Sequence, residues 1–150
     1  MLKDRLHADL TEAMRARDDV ARSALRLTLA AITKAEVAGK EHTTLSDDQV
    51  LEVIRSEIKK RTEAAEIYDG AGRAELAERE RAEGAVLAPY LPAELSDEEL
   101  AAVVSEELAK LGAGGRAMGP AIKAVRARVG ASASGGRVAD AVKAALAAGG

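Results

Sequence analysis

The sequence predicts an all-α fold: a helical N-terminal domain over residues 1–91 and a small three-helix domain over residues 92–150. Three observations predict it. Apolar residues recur at spacings of three and four along most of the chain, as an amphipathic helix requires. Phe and Trp are absent and Tyr occurs twice in 150 residues. The core must then be built from Leu, Ile, Val, Ala and Met, which suits close-packed helices and not strands. Finally, the run from Tyr90 to Leu100 is a stop, a bend and a restart. Pro92 has no N–H to donate and pushes Leu91 out of the helical region. Ser96 and Glu99 stand at capping-box spacing, so a new helix begins there.

The elements follow in order. Leu2, Leu6, Leu10 and Met14 form the apolar stripe of a first helix. Asp18-Asp19 ends it and caps a second, with Leu25, Leu29 and Ile32 on one face and Leu27 and Ala31 broadening it. Gly39 is the expected stop, and Lys40 to Leu45 a loop. Ser46 with Gln49 opens a third helix carrying Leu51, Ile54, Ile58, Ala65 and Tyr68. Asp69-Gly70-Ala71-Gly72 breaks it. The segment Arg73 to Ala88 is mostly charged, with anchors at Leu76, Val86 and Leu87, and its middle is expected to face solvent on most sides. After Ser96 come Leu100, Val103, Val104, Leu108 and Leu111 on a fifth helix, then the stop Gly112-Ala113-Gly114-Gly115. Met118, Ile122, Val125 and Val129 mark a sixth helix, with Pro120 tolerated near its start. Gly130 to Gly136 reads as a loop before a last helix with Val138, Val142, Ala145 and Leu146. Tyr90, Leu91, Pro92 and Ser96 are the expected interdomain hinge, with Tyr90 the residue that locks the two domains.

Charge changes sign along the chain. Residues 1–107 hold 15 Lys or Arg against 24 Asp or Glu, a net of −9; residues 108–150 hold seven against the single Asp140, a net of +6. The basic set is Lys110, Arg116, Lys123, Arg126, Arg128, Arg137 and Lys143. Such clustering is the electrostatic footprint of a phosphate-backbone partner. Arg116, Lys123, Arg126, Arg128 and Arg137 are the candidate nucleic-acid contacts. The bland alternative is a solvated face that keeps an Ala-rich surface in solution. Only Tyr68 and Tyr90 could stack on bases, so shape and backbone contacts are favoured over readout of unstacked single strands.

Chemistry finds little foothold. The absence of Cys excludes disulfides, thiolate nucleophiles and Cys-ligated zinc. His7 and His42 lack a second ligand at metal spacing. No Ser sits in a nucleophile elbow or an amidase-type arrangement. Gly112-Ala113-Gly114-Gly115-Arg116 is not a phosphate-binding Walker loop, because no Gly-Lys-Ser/Thr follows. Asp97-Glu98-Glu99 reads as first-turn acids favoured by the helix dipole. The run Glu57 to Glu63 reads as a solvated face with i,i+4 pairs Glu57–Arg61 and Lys59–Glu63. No catalytic residue, metal or cofactor is expected. No run approaches the roughly 18 apolar residues of a membrane span, and charges recur from Lys3 onward where a signal peptide would be apolar. The chain reads as cytoplasmic.

Tyr90-Leu91-Pro92-x-x-Leu95-Ser96-x-Glu98-Glu99-Leu100, then Met118-Gly119-x-x-Ile122 and the Gly130…Gly136 loop, resembles the signature of the GatB/YqeY family. Leu25-Arg26 and Glu57-Ile58-Lys59-Lys60-Arg61 extend the resemblance to stand-alone YqeY-like proteins over nearly the full length. The resemblance implies two helical domains. It also implies that the second is similar to the tail of the B subunit of the tRNA-dependent amidotransferase, a tail understood to contact tRNA away from the chemistry. The chain departs from the family pattern at Glu94, where Gln is common, and at Ala131-Ser132-Ala133-Ser134-Gly135-Gly136, which lacks the usual Asp. Three readings follow. The first is a tRNA-binding or accessory module, with the N-terminal domain docking a protein partner. The second is an amidotransferase-like carbon–nitrogen ligase, or a subunit of one, using glutamine as amido donor. The third is a helical protein-binding scaffold without nucleic acid.

Overall fold

The computed structural model describes residues 1–112 and 117–149, and among these the regular structure is all helical. The chain divides into two compact units, residues 1–91 and 92–150.

The first unit holds α1 (Leu2–Arg15), α2 (Asp19–Glu36), α3 (Asp47–Gly70) and α4 (Ala74–Leu87), then a single 3₁₀ turn over Ala88–Tyr90. Its caps form as their side chains dictate. The Asp18 carboxylate accepts from the Ala21 amide at 3.0 Å. Ser46 and Gln49 make a complete capping box: each side chain accepts from the other's backbone N–H. α2 stops at Glu36, short of Gly39, and Glu36 is engaged through both its side chain and its carbonyl. Its carboxylate accepts from Lys3 Nζ at 2.7 Å and from the Leu45 amide at 3.0 Å. Its carbonyl accepts from the Thr43 amide at 3.0 Å. One buried residue thus ties α1 and the loop before α3 to the end of α2. Leu6, Leu25, Leu29, Ile32, Val50, Ile54 and Leu87 centre the core.

Several stripes rotate from their expected positions. Met14, Leu27 and Leu76 are exposed, while Ala13, Ala24, Thr28 and Ala77 are buried. In α1 the cause is helical geometry. Each step of four residues overshoots a full turn by about 40°, so a stripe spaced strictly by four drifts about 120° from Leu2 to Met14. Ala13, seven residues after Leu6, comes back onto the core side.

The larger correction concerns charge. The run expected to be solvated places Glu57 and Arg61 in the interior at 7% and 6% exposure, and α4, expected to face water, buries Glu83 at 5%. α3 and α4 pack against each other along a seam that all three residues enter. Arg61 Nη1 donates to the Glu57 carbonyl at 3.0 Å and lies 3.8 Å from its carboxylate. Arg61 Nε lies 3.7 Å from Glu83. From the rim, Lys60 Nζ reaches Glu57 at 3.0 Å and Arg79 Nε approaches Glu83 at 3.8 Å. The Glu57–Arg61 pair therefore forms, but inside the protein.

The second unit holds α5 (Asp97–Leu111), α6 (Met118–Val129), a 3₁₀ turn over Gly130–Ser132, and α7 (Gly135–Gly149). Ser96 Oγ accepts from the Glu99 amide at 3.1 Å and so starts α5. α5 and α6 end on Gly112 and Gly130, at φ +56° and +54°, where a side chain would be strained. Ser134 Oγ accepts from the Arg137 amide, so α7 begins inside the expected loop. The three helices pack mutually around Leu100, Val104, Ala121, Val125, Val129, Val138 and Val142. Met118, expected in that core, is exposed at the first helical residue, and Ala121 takes its place. Among the described residues no helix is long and apolar enough to cross a membrane.

Candidate nucleic-acid interface

α6 carries Lys123, Arg126 and Arg128 and no acidic residue. At about 100° per residue, Lys123 and Arg126 lie roughly 60° apart, whereas Arg128 points well away from both. The structure follows that geometry and separates the candidate contacts into groups. Lys123 and Arg126 are exposed. Neither makes an ion pair among the described residues. The Arg126 guanidinium lies against the start of α7, its Cζ 3.7 Å from where a Cβ on Gly135 would stand.

Arg128 turns to α5. Its Nη1 is 2.5 Å from Glu106 Oε2 and 3.3 Å from Glu107 Oε1. Glu107 is shared with Lys110 Nζ, also at 3.3 Å. Lys110 first, then Arg128, hold the Glu107 carboxyl below the ordinary carboxylate range. Arg137 is engaged differently. Its Nη2 donates to the Leu95 carbonyl at 2.9 Å and to Asp97 Oδ1 at 2.8 Å. With the Leu95 amide donating to the Ser132 carbonyl at 2.8 Å, it fastens the segment before α5 to the start of α7. Arg116 lies outside the described residues. Lys143, on α7, is exposed.

Of the expected hinge, Tyr90 ends the 3₁₀ turn, Leu91 is extended, and Ser96 caps α5. The Tyr90 hydroxyl donates to Asp9 Oδ2, and the Arg5 guanidinium sits 4.8 Å from the ring centroid. Burial, then Asp9, keep the phenol protonated far above its ordinary range. These contacts hold Tyr90 to α1.

Folding also changes the meaning of the charge count. The sign change at residues 107–108 falls inside α5, and the folding unit begins at Pro92. Over residues 92–150 there are seven basic and seven acidic residues, a net charge of zero. Sequence reading placed Glu106 and Glu107 with the acidic part of the chain, yet they face Arg128. The signal that could have found this is the helix boundary at Ser96: charges counted per folding unit cancel. Among the described residues, what remains on α6 is local, two exposed cations on one side of the helix that make no ion pair, with Lys143 on α7 also exposed. His7 and His42 are exposed, and no group of three His, Asp or Glu among the described residues is placed to hold a metal ion.

The family model described as Yqey-like protein matches residues 3–146, spanning both units. No curated protein matches the chain.

Proposed function

The chain belongs to the YqeY-like family, and from that premise we propose that its C-terminal unit is an RNA-binding module, with tRNA as the ligand, serving as an accessory to tRNA amidation and not as the catalyst. The observation that carries the reading is the pair Lys123 and Arg126: exposed, adjacent on an acid-free helix, and making no ion pair among the described residues. Binding would proceed by counterion release, with the two cations on backbone phosphates and no aromatic platform for bases. Arg137, bound to the Leu95 carbonyl and Asp97, serves as a structural tie in this reading, and the charge of Arg128 is countered by Glu106 and Glu107. The link to amidation rests on the resemblance of the Tyr90–Leu100 segment and the later glycine elements to the amidotransferase B-subunit tail.

Titration of labelled tRNA into the full chain at about 50 and 200 mM salt tests it. Two phosphate contacts predict that log affinity falls against log salt with a slope of about −2. Lys123→Glu with Arg126→Glu is expected to abolish binding while leaving the helical circular dichroism unchanged. Absence of binding at low salt, or binding indifferent to that double reversal, would sink the proposal.

A further inference from the structure

The placement of Arg128 carries a consequence for how such binding is controlled. Arg128 is in the last turn of α6, where a cation is already favoured by the helix dipole. It does not need Glu106 and Glu107 to be held there. The exposed Arg128–Glu106 pair also adds little to stability, because solvent screens it and side-chain freedom is lost in making it. The two carboxylates nevertheless converge on one guanidinium nitrogen, at 2.5 and 3.3 Å. Their main physical effect is on the charge that Arg128 presents. Lys110, the other cation on Glu107, belongs to the same cluster, so both are partly neutralised by α5.

We propose that Glu106 and Glu107 are an intramolecular counter-anion for Arg128, an autoinhibitory screen that an RNA phosphate must displace before Arg128 joins Lys123 and Arg126. This rests on the RNA-binding reading above. The screen grades the ligand by charge density. A lone phosphate cannot outcompete two carboxylates that are already in place. A polyanion anchored on Lys123 and Arg126 raises the local phosphate concentration, yet it displaces them in only a small share of the bound complexes while both carboxylates are charged. Occupied this way, Arg128 adds a third contact late, and only for backbone long enough to reach round the helix.

The experiment uses the full chain and labelled tRNA at low salt in a four-variant cycle. Glu106→Gln with Glu107→Gln is expected to tighten binding about tenfold and to steepen the salt dependence by about one phosphate contact. Arg128→Ala alone is expected to change affinity less than about twofold, since most of its charge is already countered. Combining all three substitutions is expected to erase the gain. A gain that survives Arg128→Ala would overturn the screen, because it would reflect only the loss of two negative charges. An unchanged or weakened affinity in the Gln/Gln variant would overturn it too. If neither the wild-type chain nor the Gln/Gln variant binds tRNA, the RNA-binding reading itself falls and takes the screen with it. Wild-type binding lost on reversal of Lys123 and Arg126 keeps that reading standing whatever the cycle shows.

Discussion

The two units place their charges in opposite ways. The N-terminal unit buries Glu36, Glu57, Arg61 and Glu83 together with Thr28. Among the described residues, those buried in the C-terminal unit are all apolar, and its ion pairs lie at or near the surface: Arg128 with Glu106 and Glu107, Lys110 with Glu107, Arg137 with Asp97. The difference teaches what each arrangement is for. A buried ion pair seldom gains stability over an apolar one of the same size, but losing one partner strands a charge. It therefore fixes which packing is allowed. A surface pair stays solvated when one partner is lost, so it constrains packing far less.

The largest expected effect tests the buried side of this contrast. Arg61→Ala leaves Glu57 and Glu83 facing each other in the α3–α4 seam. It should cost the N-terminal unit about 3–5 kcal/mol, read from urea or thermal unfolding followed by probes in each unit. Replacing all three by Met should be neutral or stabilising by comparison. Equal, small effects of the single and triple changes would show that the seam is solvated and dissolve the contrast. On the other side, Leu100→Ala opens a cavity in a small apolar core, and about 3 kcal/mol is expected. Because residues 92–150 have little core to spare, that transition alone should move in calorimetry. A coupled shift of the N-terminal transition would mean that the two units do not unfold separately.

The smallest effect is local and depends on pH. Lys3 first, then the Leu45 amide, hold the Glu36 carboxyl below the ordinary value of 4.5. A depressed carboxyl contributes stability that is fully present above its unfolded pKa and is lost as pH falls through the folded one. Protection of the Leu45 amide from hydrogen exchange should accordingly hold at pH 5 to 7 and decline once pH falls below the ordinary carboxylate value of 4.5. Glu36→Gln should abolish that pH dependence. Protection that is flat down to pH 3 in the wild type would show that the carboxylate is not what ties the loop.

Helix existence and capping were legible in the sequence because they are local. Asp18, Ser46 and Ser96 each need only a neighbour three residues on, and each makes the expected bond. Burial of charge was not legible, because it depends on the partner. Glu57 and Arg61 are an unremarkable i,i+4 pair on α3 alone. Only the approach of α4, bringing Glu83, takes them out of water. Met14 failed for another reason: a four-residue spacing imitates a stripe but rotates off it; Leu27, two residues from Leu25 and Leu29, turns about 160° away from both. Of the candidate contacts, Lys123 and Arg126 could be found from residue type. The commitments of Arg128 and Arg137 could not, since they depend on residues 21 and 40 positions away.

The bond from Tyr90 to Asp9 spans 81 residues. It joins the last turn of the N-terminal unit to its first helix, so its consequence lies in time. During synthesis α1 leaves the ribosome first, but this contact cannot form until the chain has been made through Tyr90. Contacts so distant in sequence are the late and slow ones in folding. The N-terminal unit is thus completed only when the chain arrives at Pro92, just as the C-terminal unit begins to emerge. The same tyrosine that marks the boundary in sequence is the residue whose arrival lets the N-terminal unit close.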